Sequence, residues 1–346
     1  MRVVDLHCDT ISALRRLRRQ GGTLGQEAKA GESAGPGEKA GLRENRLHLD
    51  LTRLRQAGYS LQAFAAFVDL GEEADPLEAC REQIRILQEE LAANGDWAAP
   101  MTCWQDYLAN LRQGKLSALL SLEEGAVCRG EPEILRELYR AGARMMTLTW
   151  NHANGLGYPN QVEYSPEKGM ICRPEERGLT EKGRAILEEM ESLGMLVDVS
   201  HLSDGGFWDV ARSTRRPFLA SHSNARAVCG HTRNLTDAMI REIGNRGGLI
   251  GLNFCVAFLR PDWQPGDPRG GTPEEMAAHL RHLQNVGGLD CLALGSDFDG
   301  IAEKPSFGDC TGLPVLWEAL GRAGFSEDQR EQVFHGNAER FFQENL

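Results

Sequence analysis

The sequence predicts an α/β fold, a TIM-type (β/α)8 barrel, and two observations support this class. Eight short apolar runs recur along the 346 residues, and most are separated by segments with apolar residues at three- and four-residue steps. Near-continuous apolar strands that alternate with amphipathic helices are typical of a parallel sheet covered by helices, and eight repeats favour a closed barrel. A doubly wound open sheet is the alternative. No GxGxxG follows the first strand, which weakens the dinucleotide-binding form of that alternative.

The apolar runs define the predicted strands. In order, they are 3–7, 60–68, 116–123, 143–150, 194–201, 217–223, 248–254 and 291–299. Four segments between them show helical periodicity, at 75–94, 179–193, 236–247 and 272–287. Thr180 and Thr272 stand at N-cap positions with a glutamate nearby, which marks two helix starts. We expect a single barrel domain over residues 1–346, with a Gly/Ala/Glu/Lys-rich segment at 18–45 as a flexible surface insertion; a lid is the alternative.

Composition excludes several classes of protein. The net charge of -12 argues against nucleic acid as the main partner, because phosphate binding needs a basic surface. No apolar run approaches the roughly 18 to 20 residues of a membrane helix, and the first residues lack a secretory pattern. The nine cysteines are scattered, odd in number and without a CxxC pair. We therefore expect reduced thiols in a cytoplasmic protein, with no disulfide framework.

Polar side chains follow the C-terminal ends of six predicted strands. They are His7 and Asp9; Glu123 and Glu124; Asn151, His152 and Asn154; His201; His222; and Asp297 and Asp299. In a barrel these ends meet on the face that carries the chemistry of barrel enzymes. A lone histidine there is more often structural, but a whole set of buried charges without a counter-ion costs several kcal/mol per group. A divalent cation would supply the missing positive charge, so the set predicts a metal site.

The donor types indicate which metal would bind. Imidazole and carboxylate without thiolate suit Zn, Mn, Co or Fe. Three histidines, one aspartate and one glutamate exceed the three protein ligands of a single catalytic zinc and fit two ions about 3.5 to 4 Å apart. On a strand, His7 and Asp9 at positions i and i+2 point the same way and can reach one ion. Cys8 points the other way and is predicted to pack in the core.

Six stretches of the sequence resemble the membrane (renal) dipeptidase family, binuclear zinc metallopeptidases with an amidohydrolase-type barrel. They are DLHCDT, SLEEGAV, TLTWNHAN, LVDVSHLS, ASHSNARAVCGHTRN and LGSDFDG, and their order and approximate spacing agree along the chain apart from 18–45. The resemblance implies a hydrolase that cleaves dipeptides, with two Zn2+ ions or other divalent metals such as Mn2+ or Co2+. It also suggests activity on dipeptides with a C-terminal D-residue, and a homodimer.

The resemblance further implies a set of metal ligands. His7 and Asp9 would bind one ion, and His201 and His222 the other, with a glutamate bridging the two. Counting back without gaps from Gly142 and the TLT run selects Glu123, which we favour as the bridge. The family's Glu-Gly wording would instead select Glu124.

Roles in catalysis and substrate binding also follow from the resemblance. A metal-activated bridging hydroxide would attack the amide carbonyl, and Asp297 matches the acid/base aspartate that passes its proton to the leaving amine. Arg233 matches an arginine that holds the terminal carboxylate of the substrate. The family often has a histidine directly after TLT, where Trp150 stands in this sequence. His152, two residues on, is predicted to take over its role at the scissile carbonyl; an ordinary loop histidine is the alternative.

Two other functions stay open. The same metals would serve an amidohydrolase acting on a non-peptide amide, a lactam or an N-acyl amino acid, and the Trp150 departure favours keeping this alternative. A catalytically weak metal-binding barrel is the second alternative, although no ligand of the set is missing. Arg233→Ala separates the enzyme functions, because only a substrate with a free carboxylate should depend on that guanidinium.

Overall fold

All eight predicted strands take part in a barrel. The computed structural model describes residues 1–19, 41–165, 169–264, 267 and 269–346. Within these ranges the strands are β1 (Val3–Asp5), β2 (Tyr59–Phe67), β3 (Ala98–Pro100), β4 (Leu116–Glu123), β5 (Ala143–Thr147), β6 (Gln161–Ser165), β7 (Gly169–Arg173), β8 (Leu196–Asp198), β9 (Leu219–Ala220), β10 (Leu249–Leu252) and β11 (Leu292–Leu294). The strands β1, β2, β4, β5, β8, β9, β10 and β11 pair in parallel in that order, and β11 returns to β1 to close the ring. The prediction of a (β/α)8 barrel is confirmed.

Helices follow most of the barrel strands. They are α1 (Thr10–Arg19), α2 (Leu51–Ala57), α3 (Pro76–Ala93), α4 (Trp104–Arg112), α5 (Pro132–Arg140), α6 (Glu181–Leu193), α7 (Asp204–Ser213), α8 (Asp237–Asn245), α9 (Val256–Leu259), α10 (Pro273–Gly287), α11 (Leu313–Arg322), α12 (Glu327–Glu331) and α13 (Asn337–Asn345). Thr180 and Thr272 cap α6 and α10 as predicted, and Thr272 forms a capping box with Glu275. Among the residues described, no helix has the length and apolar character needed to cross a bilayer.

One end of the barrel is filled with apolar side chains. Each barrel strand contributes at least one residue to this cluster, among them Val4, Leu61, Leu119, Met145, Leu196, Leu219, Leu249 and Ala293. Phe341 and Phe342 of α13 join the cluster and are fully buried, so this helix closes the end where the strands begin. Each such large side chain contributes roughly 1.5 to 3 kcal/mol on burial. The apolar core therefore stabilises this end of the barrel, and the polar side chains lie at the opposite end.

The sequence did not predict two smaller features. The short β3 adds to β4 as a further parallel strand beyond the ring, and β6 and β7 form an antiparallel hairpin between β5 and α6. In the predicted insertion at 18–45, Arg18 and Arg19 form the last turn of α1, and residues 20–40 lie outside the described residues.

Candidate metal centre

The Glu123 carboxylate, at the end of β4, lies between histidines that come from three other strands. Its Oε2 atom is 3.3 Å from His7 Nε2. Its Oε1 atom is 3.1 Å from His201 Nε2 and 3.7 Å from His222 Nε2. The Nε2 atoms of His201 and His222 are 2.9 Å apart, and we call these two residues the histidine pair. One carboxylate thus faces His7 with one oxygen and the histidine pair with the other.

Two further carboxylates approach the same nitrogen of His7 that Glu123 faces. His7 Nε2 is 3.8 Å from Asp9 Oδ2 and 3.8 Å from Asp297 Oδ1, and we call His7, Asp9 and Asp297 the mixed cluster. Asp297 is oriented by Asn253, whose side-chain amide donates to Asp297 Oδ2 at 2.9 Å. The structure therefore brings six of the predicted site residues together at the strand ends, in two neighbouring sets that meet at Glu123.

Burial places these carboxylates in an unfavourable electrostatic environment. Glu123 is 2% exposed, and no Arg or Lys of the described ranges forms an ion pair with Glu123, Asp9 or Asp297. Burial, reinforced by the charge of Asp9, raises the pKa of Glu123 to about 8. Burial also raises the pKa of Asp297, to about 6, with Asp9 again adding to the effect. Both shifts disfavour the charged carboxylate, and a cation bound beside these groups would oppose them.

The three histidines respond to the same environment in two ways. Burial lowers the pKa of His201 and His222 well below its ordinary value, and the positive charges of Arg233 and His7 act in the same direction. Burial alone would also lower the pKa of His7, but the Glu123 and Asp9 carboxylates outweigh it and raise that pKa well above its ordinary value. The histidine pair is thus neutral at physiological pH, which is the state that binds metals.

Unpartnered polar atoms show that a cation fits this site. Within the described part of the chain, His7 Nδ1 and Nε2, Asp9 Oδ1 and Glu123 Oε2 are buried without a hydrogen-bond partner. Two sets, His7–Glu123–His222 and His7–Asp9–Asp297, each bring three ligand atoms within 4.8 Å of one another. Buried polar atoms without partners are costly, and imidazole and carboxylate groups at these separations are ligands for Zn2+ and similar ions. The residues therefore fit a divalent metal.

Glu124 is turned away from the histidines. Its carboxylate accepts hydrogen bonds from the backbone N–H of Ala126 at 2.8 Å and of Trp150 at 3.0 Å, and from the side chain of Asn154. Its backbone lies in the left-handed region, with φ of 98°. Glu124 therefore ties two loops together, and Glu123 is the glutamate that the structure places beside the histidines.

A cleft of about 330 Å3 opens onto the histidine pair, Glu123 and the mixed cluster. Its lining includes Asp9, Glu123, His201 and Asp297, together with the aromatic side chains of Phe67, Trp150, Phe258 and Trp263. Trp150 packs edge-on against Phe67 at 4.8 Å between ring centroids and lies 6.0 Å from the His201 ring. The aromatic walls and the polar floor form a space of the size that a very small substrate would occupy.

Arg233 is buried beside this cleft and forms no ion pair in the described residues. It is 8% exposed, and its Nε and one terminal nitrogen have no hydrogen-bond partner within those residues. Its guanidinium carbon lies 5.3 Å from the ring centroid of Phe258, a residue of the cleft wall. Burial lowers the pKa of Arg233, and the carboxylates of Asp297 and Glu123 oppose that shift. A buried guanidinium with free donors is a suitable site for an anionic group.

The structure does not bring His152 into the cluster. Its Nε2 atom lies 3.0 Å from Asp69 Oδ1, its side chain is 47% exposed, and Trp150 stands between it and His201. In this arrangement His152 occupies a surface loop outside the cleft lining.

Two of the residues that approach the site hold unusual backbone conformations. His201 has φ of 67° and Asp297 has φ of 61°, and Asp299 nearby has φ of 68°. Such left-handed conformations cost about 1 to 3 kcal/mol in a residue other than glycine, although Asp and His tolerate them better than most. Asp299 anchors its segment, because its carboxylate accepts from Thr10 Oγ1 and from the backbone N–H of His48, each at 2.6 Å.

Sequence reasoning missed several polar residues that support the cluster. They are Asn253 beside Asp297, and Asp198 and Ser221 behind His222. Each lies in or directly after a predicted apolar strand, so a polar residue interrupting such a run was the available signal. Serine and asparagine at strand ends commonly serve turns, and this is why the signal is weak without the structure.

Comparison with known proteins identifies the family. The sequence model described as membrane dipeptidase, peptidase family M19, matches residues 1–345. The chain belongs to this family. The family predicted from the motifs is confirmed, and membership places the protein among the metallopeptidase hydrolases. It also implies a divalent metal and a dipeptide substrate.

Individual relatives agree with this assignment. A protein encoded in the pqqA 5' region of Klebsiella pneumoniae is 36% identical over 257 residues, 73% of this chain and 91% of the relative. An uncharacterized dipeptidase of Schizosaccharomyces pombe is 30% identical over 306 residues, 85% of this chain and 71% of the relative. A solved M19 metallopeptidase, dipeptidase AC, has a TM-score of 0.82 at 28% identity, covering 100% of this chain and 98% of that one. A metallopeptidase from Rhodobacter sphaeroides, solved with a phosphinate mimic of L-Ala-D-Ala, has a TM-score of 0.81 at 28% identity, covering 100% and 99%.

Proposed function

We propose that this protein is a dipeptidase with two zinc ions, and that it accepts a D-residue at the C-terminal position of the dipeptide. The observation that carries the proposal is the Glu123 carboxylate, which faces His7 with one oxygen and the histidine pair with the other. A carboxylate in this position is suited to bridge two cations. The Rhodobacter sphaeroides relative, solved with a mimic of L-Ala-D-Ala, supports the D-residue.

The proposed ligands divide between two positions. His7 and Asp9 would hold one ion, His201 and His222 the other, and Glu123 both. When bound, the ions would lower the pKa of a water molecule towards neutrality and polarise the scissile carbonyl. Mn2+ and Co2+ suit the same donors.

Asp297 is the proposed proton carrier. Asn253 holds its Oδ2 atom, while its Oδ1 atom points towards His7 and the cluster. Its pKa, raised by burial to about 6, is close to neutrality, where a general base and acid works best. Asp297 Oδ1 would therefore accept the proton of the attacking water and donate it to the leaving nitrogen.

Arg233 is the proposed anchor for the C-terminal carboxylate of the substrate. Its guanidinium is buried beside the cleft wall with free donors, and a planar fork of N–H groups pairs with a carboxylate better than an ammonium does. An anchor this close to the cluster favours peptides of two residues. A cytoplasmic location is proposed on the nine unpaired cysteines, which fit a reducing compartment.

Hydrolysis of a panel of L,L and L,D dipeptides, with and without a chelator, tests the function. We expect activity on both series that the chelator abolishes and Zn2+ restores. Activity that the chelator leaves intact would rule out the metal-dependent mechanism.

Arg233→Ala tests the substrate class. Loss of a charged hydrogen-bonding partner is worth about 1.5 to 3 kcal/mol, so we expect KM for dipeptides to rise roughly 10- to 150-fold. Arg233→Lys is the matched variant and should recover only part of this loss, because it keeps the charge without the fork. Hydrolysis of a dipeptide amide, which lacks the carboxylate, should differ little between the wild type and Arg233→Ala. Unchanged hydrolysis of the dipeptide by Arg233→Ala would instead favour an amidohydrolase that does not read a carboxylate.

A further inference from the structure

Two buried polar side chains, Asp198 and Ser221, form a chain of hydrogen bonds that ends at His222 Nδ1. The carboxylate of Asp198, at the end of β8, accepts from the backbone N–H of Ser200 and of Ser221, each at 2.9 Å. The hydroxyl of Ser221 donates to Asp198 Oδ2, and the hydroxyl oxygen, Ser221 Oγ, lies 2.7 Å from His222 Nδ1. Asp198 and Ser221 are 1% and 0% exposed, and the ring of His222 is likewise closed to solvent.

We infer that Ser221 and Asp198 are positioning residues that fix the tautomer and orientation of His222 for metal binding. The inference rests on the proposed metal centre. A serine hydroxyl carries one proton, and a carboxylate has only acceptor atoms, so the Ser221 proton points to Asp198. The Ser221 oxygen can then only accept from His222, which places the ring proton on Nδ1. The lone pair of Nε2 is left facing Glu123 and His201.

The other member of the histidine pair has a similar arrangement. His201 Nδ1 lies 2.9 Å from Asn151 Oδ1, an amide oxygen that accepts the ring proton. Both Nε2 atoms of the pair then carry lone pairs, and they are 2.9 Å apart. Two lone pairs at this distance repel one another unless a cation lies between them. The hydrogen bonds on the far side of each ring thus select the form that a metal requires.

The backbone holds His222 in the same orientation. Its N–H donates to Ser200 Oγ at 3.1 Å, and its carbonyl accepts from the Asn253 side chain at 3.3 Å. Neither contact selects a tautomer, because neither touches the ring. Ser221 is therefore the contact that links the ring proton to the carboxylate.

The structure contains a natural control at another junction between barrel strands, that of β1 and β11. Asp5 accepts from the backbone N–H of Ser296 at 2.9 Å and from its hydroxyl at 2.6 Å, as Asp198 does from Ser221. Besides Asp5, the Ser296 hydroxyl contacts only backbone groups in the described residues, the carbonyl of His7 and the N–H of Phe298, each at 3.2 Å, and the ring nitrogen His7 Nδ1 has no partner there. Ser296→Ala therefore removes an equally buried Asp–Ser bond without touching an imidazole.

The first experiment measures metal binding. Zn2+ affinity of the metal-stripped protein is determined by competition with a chromophoric chelator for the wild type, Ser221→Ala, Ser221→Thr and Ser296→Ala. We expect Ser221→Ala to weaken one Zn2+ ion about 10- to 100-fold, as loss of a partner behind a ligating histidine does. Ser221→Thr keeps the hydroxyl and should bind nearly as the wild type does, and Ser296→Ala should be unchanged. Equal affinity of Ser221→Ala and wild type, or equal losses in Ser221→Ala and Ser296→Ala, would overturn the inference.

The second experiment reads the tautomer directly. Nitrogen-15 NMR of the metal-stripped wild type should show His222 protonated at Nδ1, and Ser221→Ala should show a shift towards the Nε2 form. A wild-type ring protonated at Nε2 would overturn the inference whatever the metal affinity. If both experiments give the expected results for Ser221 but no dipeptide is hydrolysed, the proposed function fails and the positioning role of Ser221 and Asp198 stands.

Discussion

The histidine pair and the mixed cluster occupy two sides of one carboxylate, and they are built differently. In the histidine pair, each ring is held from behind, His201 by Asn151 and His222 by Ser221. In the mixed cluster, both ring nitrogens of His7 and one oxygen of Asp9 have no hydrogen-bond partner in the described residues. One side is organised by protein hydrogen bonds before a metal arrives, while the other gathers charges that only a cation can satisfy. We expect the histidine pair to bind the tighter ion, since a preorganised site loses less entropy on binding.

The largest effect is expected from Glu123→Gln, because Glu123 belongs to both sides. We expect loss of metal and a fall in kcat/KM of more than roughly 100-fold, which is the most that loss of a hydrogen-bond partner behind a metal ligand usually costs. Metal content by elemental analysis and dipeptide kinetics are the measurements.

Glu124→Gln is the matched control for this variant. Glu124 accepts three hydrogen bonds in the loops, and its replacement should lower the free energy of unfolding by about 1.5 to 3 kcal/mol while the metal is retained. If the two variants exchanged these phenotypes, Glu124 would be the bridging residue.

Asp297→Asn separates proton transfer from metal binding within the mixed cluster. We expect kcat/KM to fall about 10²- to 10⁴-fold, the usual contribution of a general acid or base, with the metal content close to that of the wild type. Full activity of this variant with its metals bound would remove Asp297 from the mechanism. Asn253→Ala, which frees Asp297 Oδ2, should give a smaller loss in the same direction.

The pH dependence of the stability of the metal-free protein distinguishes Glu123 from the histidine pair. Burial raises the pKa of Glu123 from 4.5 to about 8, so the folded state holds this proton more tightly than the unfolded chain does. The stability that this group contributes is full below about pH 4.5 and is lost as the pH rises through about 8. The lowered pKa of His201 and His222 acts oppositely, since their contribution is lost as the pH falls below about 6.5.

Between about pH 6.5 and 8, the melting temperature of the chelator-treated protein should therefore fall with rising pH. The fall should be smaller in Glu123→Gln. With Zn2+ bound the trend should reverse, because the ligands must lose their protons to bind. A metal-free protein that gains stability over this range would show that Glu123 does not keep its proton.

The smallest effect is expected from His152→Ala, because His152 lies outside both the histidine pair and the mixed cluster. The side chain is half exposed and bonded to Asp69, so we expect activity within about twofold of the wild type, as for ordinary surface substitutions. A loss of 10-fold or more in kcat would show that this loop moves and that His152 reaches the substrate.

The fold could be predicted from the sequence because each barrel strand is a buried apolar run, and eight such runs that alternate with helices favour a closed barrel over the doubly wound open sheet. The sequence brought His7, Asp9, His201 and His222 to one face because strand ends in a barrel converge. It could not separate Glu123 from Glu124, since two adjacent acids look alike until the backbone turn at Glu124 is known. It also missed Ser221 and Asn253, whose importance depends on which ring or carboxylate they touch.

The bond between Asp5 and Ser296 has a consequence for how the protein folds. These residues are 291 positions apart in the chain, and their contact joins the first barrel strand to the last. The two members of the histidine pair are 21 residues apart in the chain, whereas the surroundings of His7 are complete only with the segment around Asp297. Contacts of such sequence separation form slowly. If the mixed cluster binds a metal ion as proposed, uptake of that ion would report that the last strand has docked. A chain that stops before β11 would lack Asp297 and leave β1 without one of its two neighbouring strands.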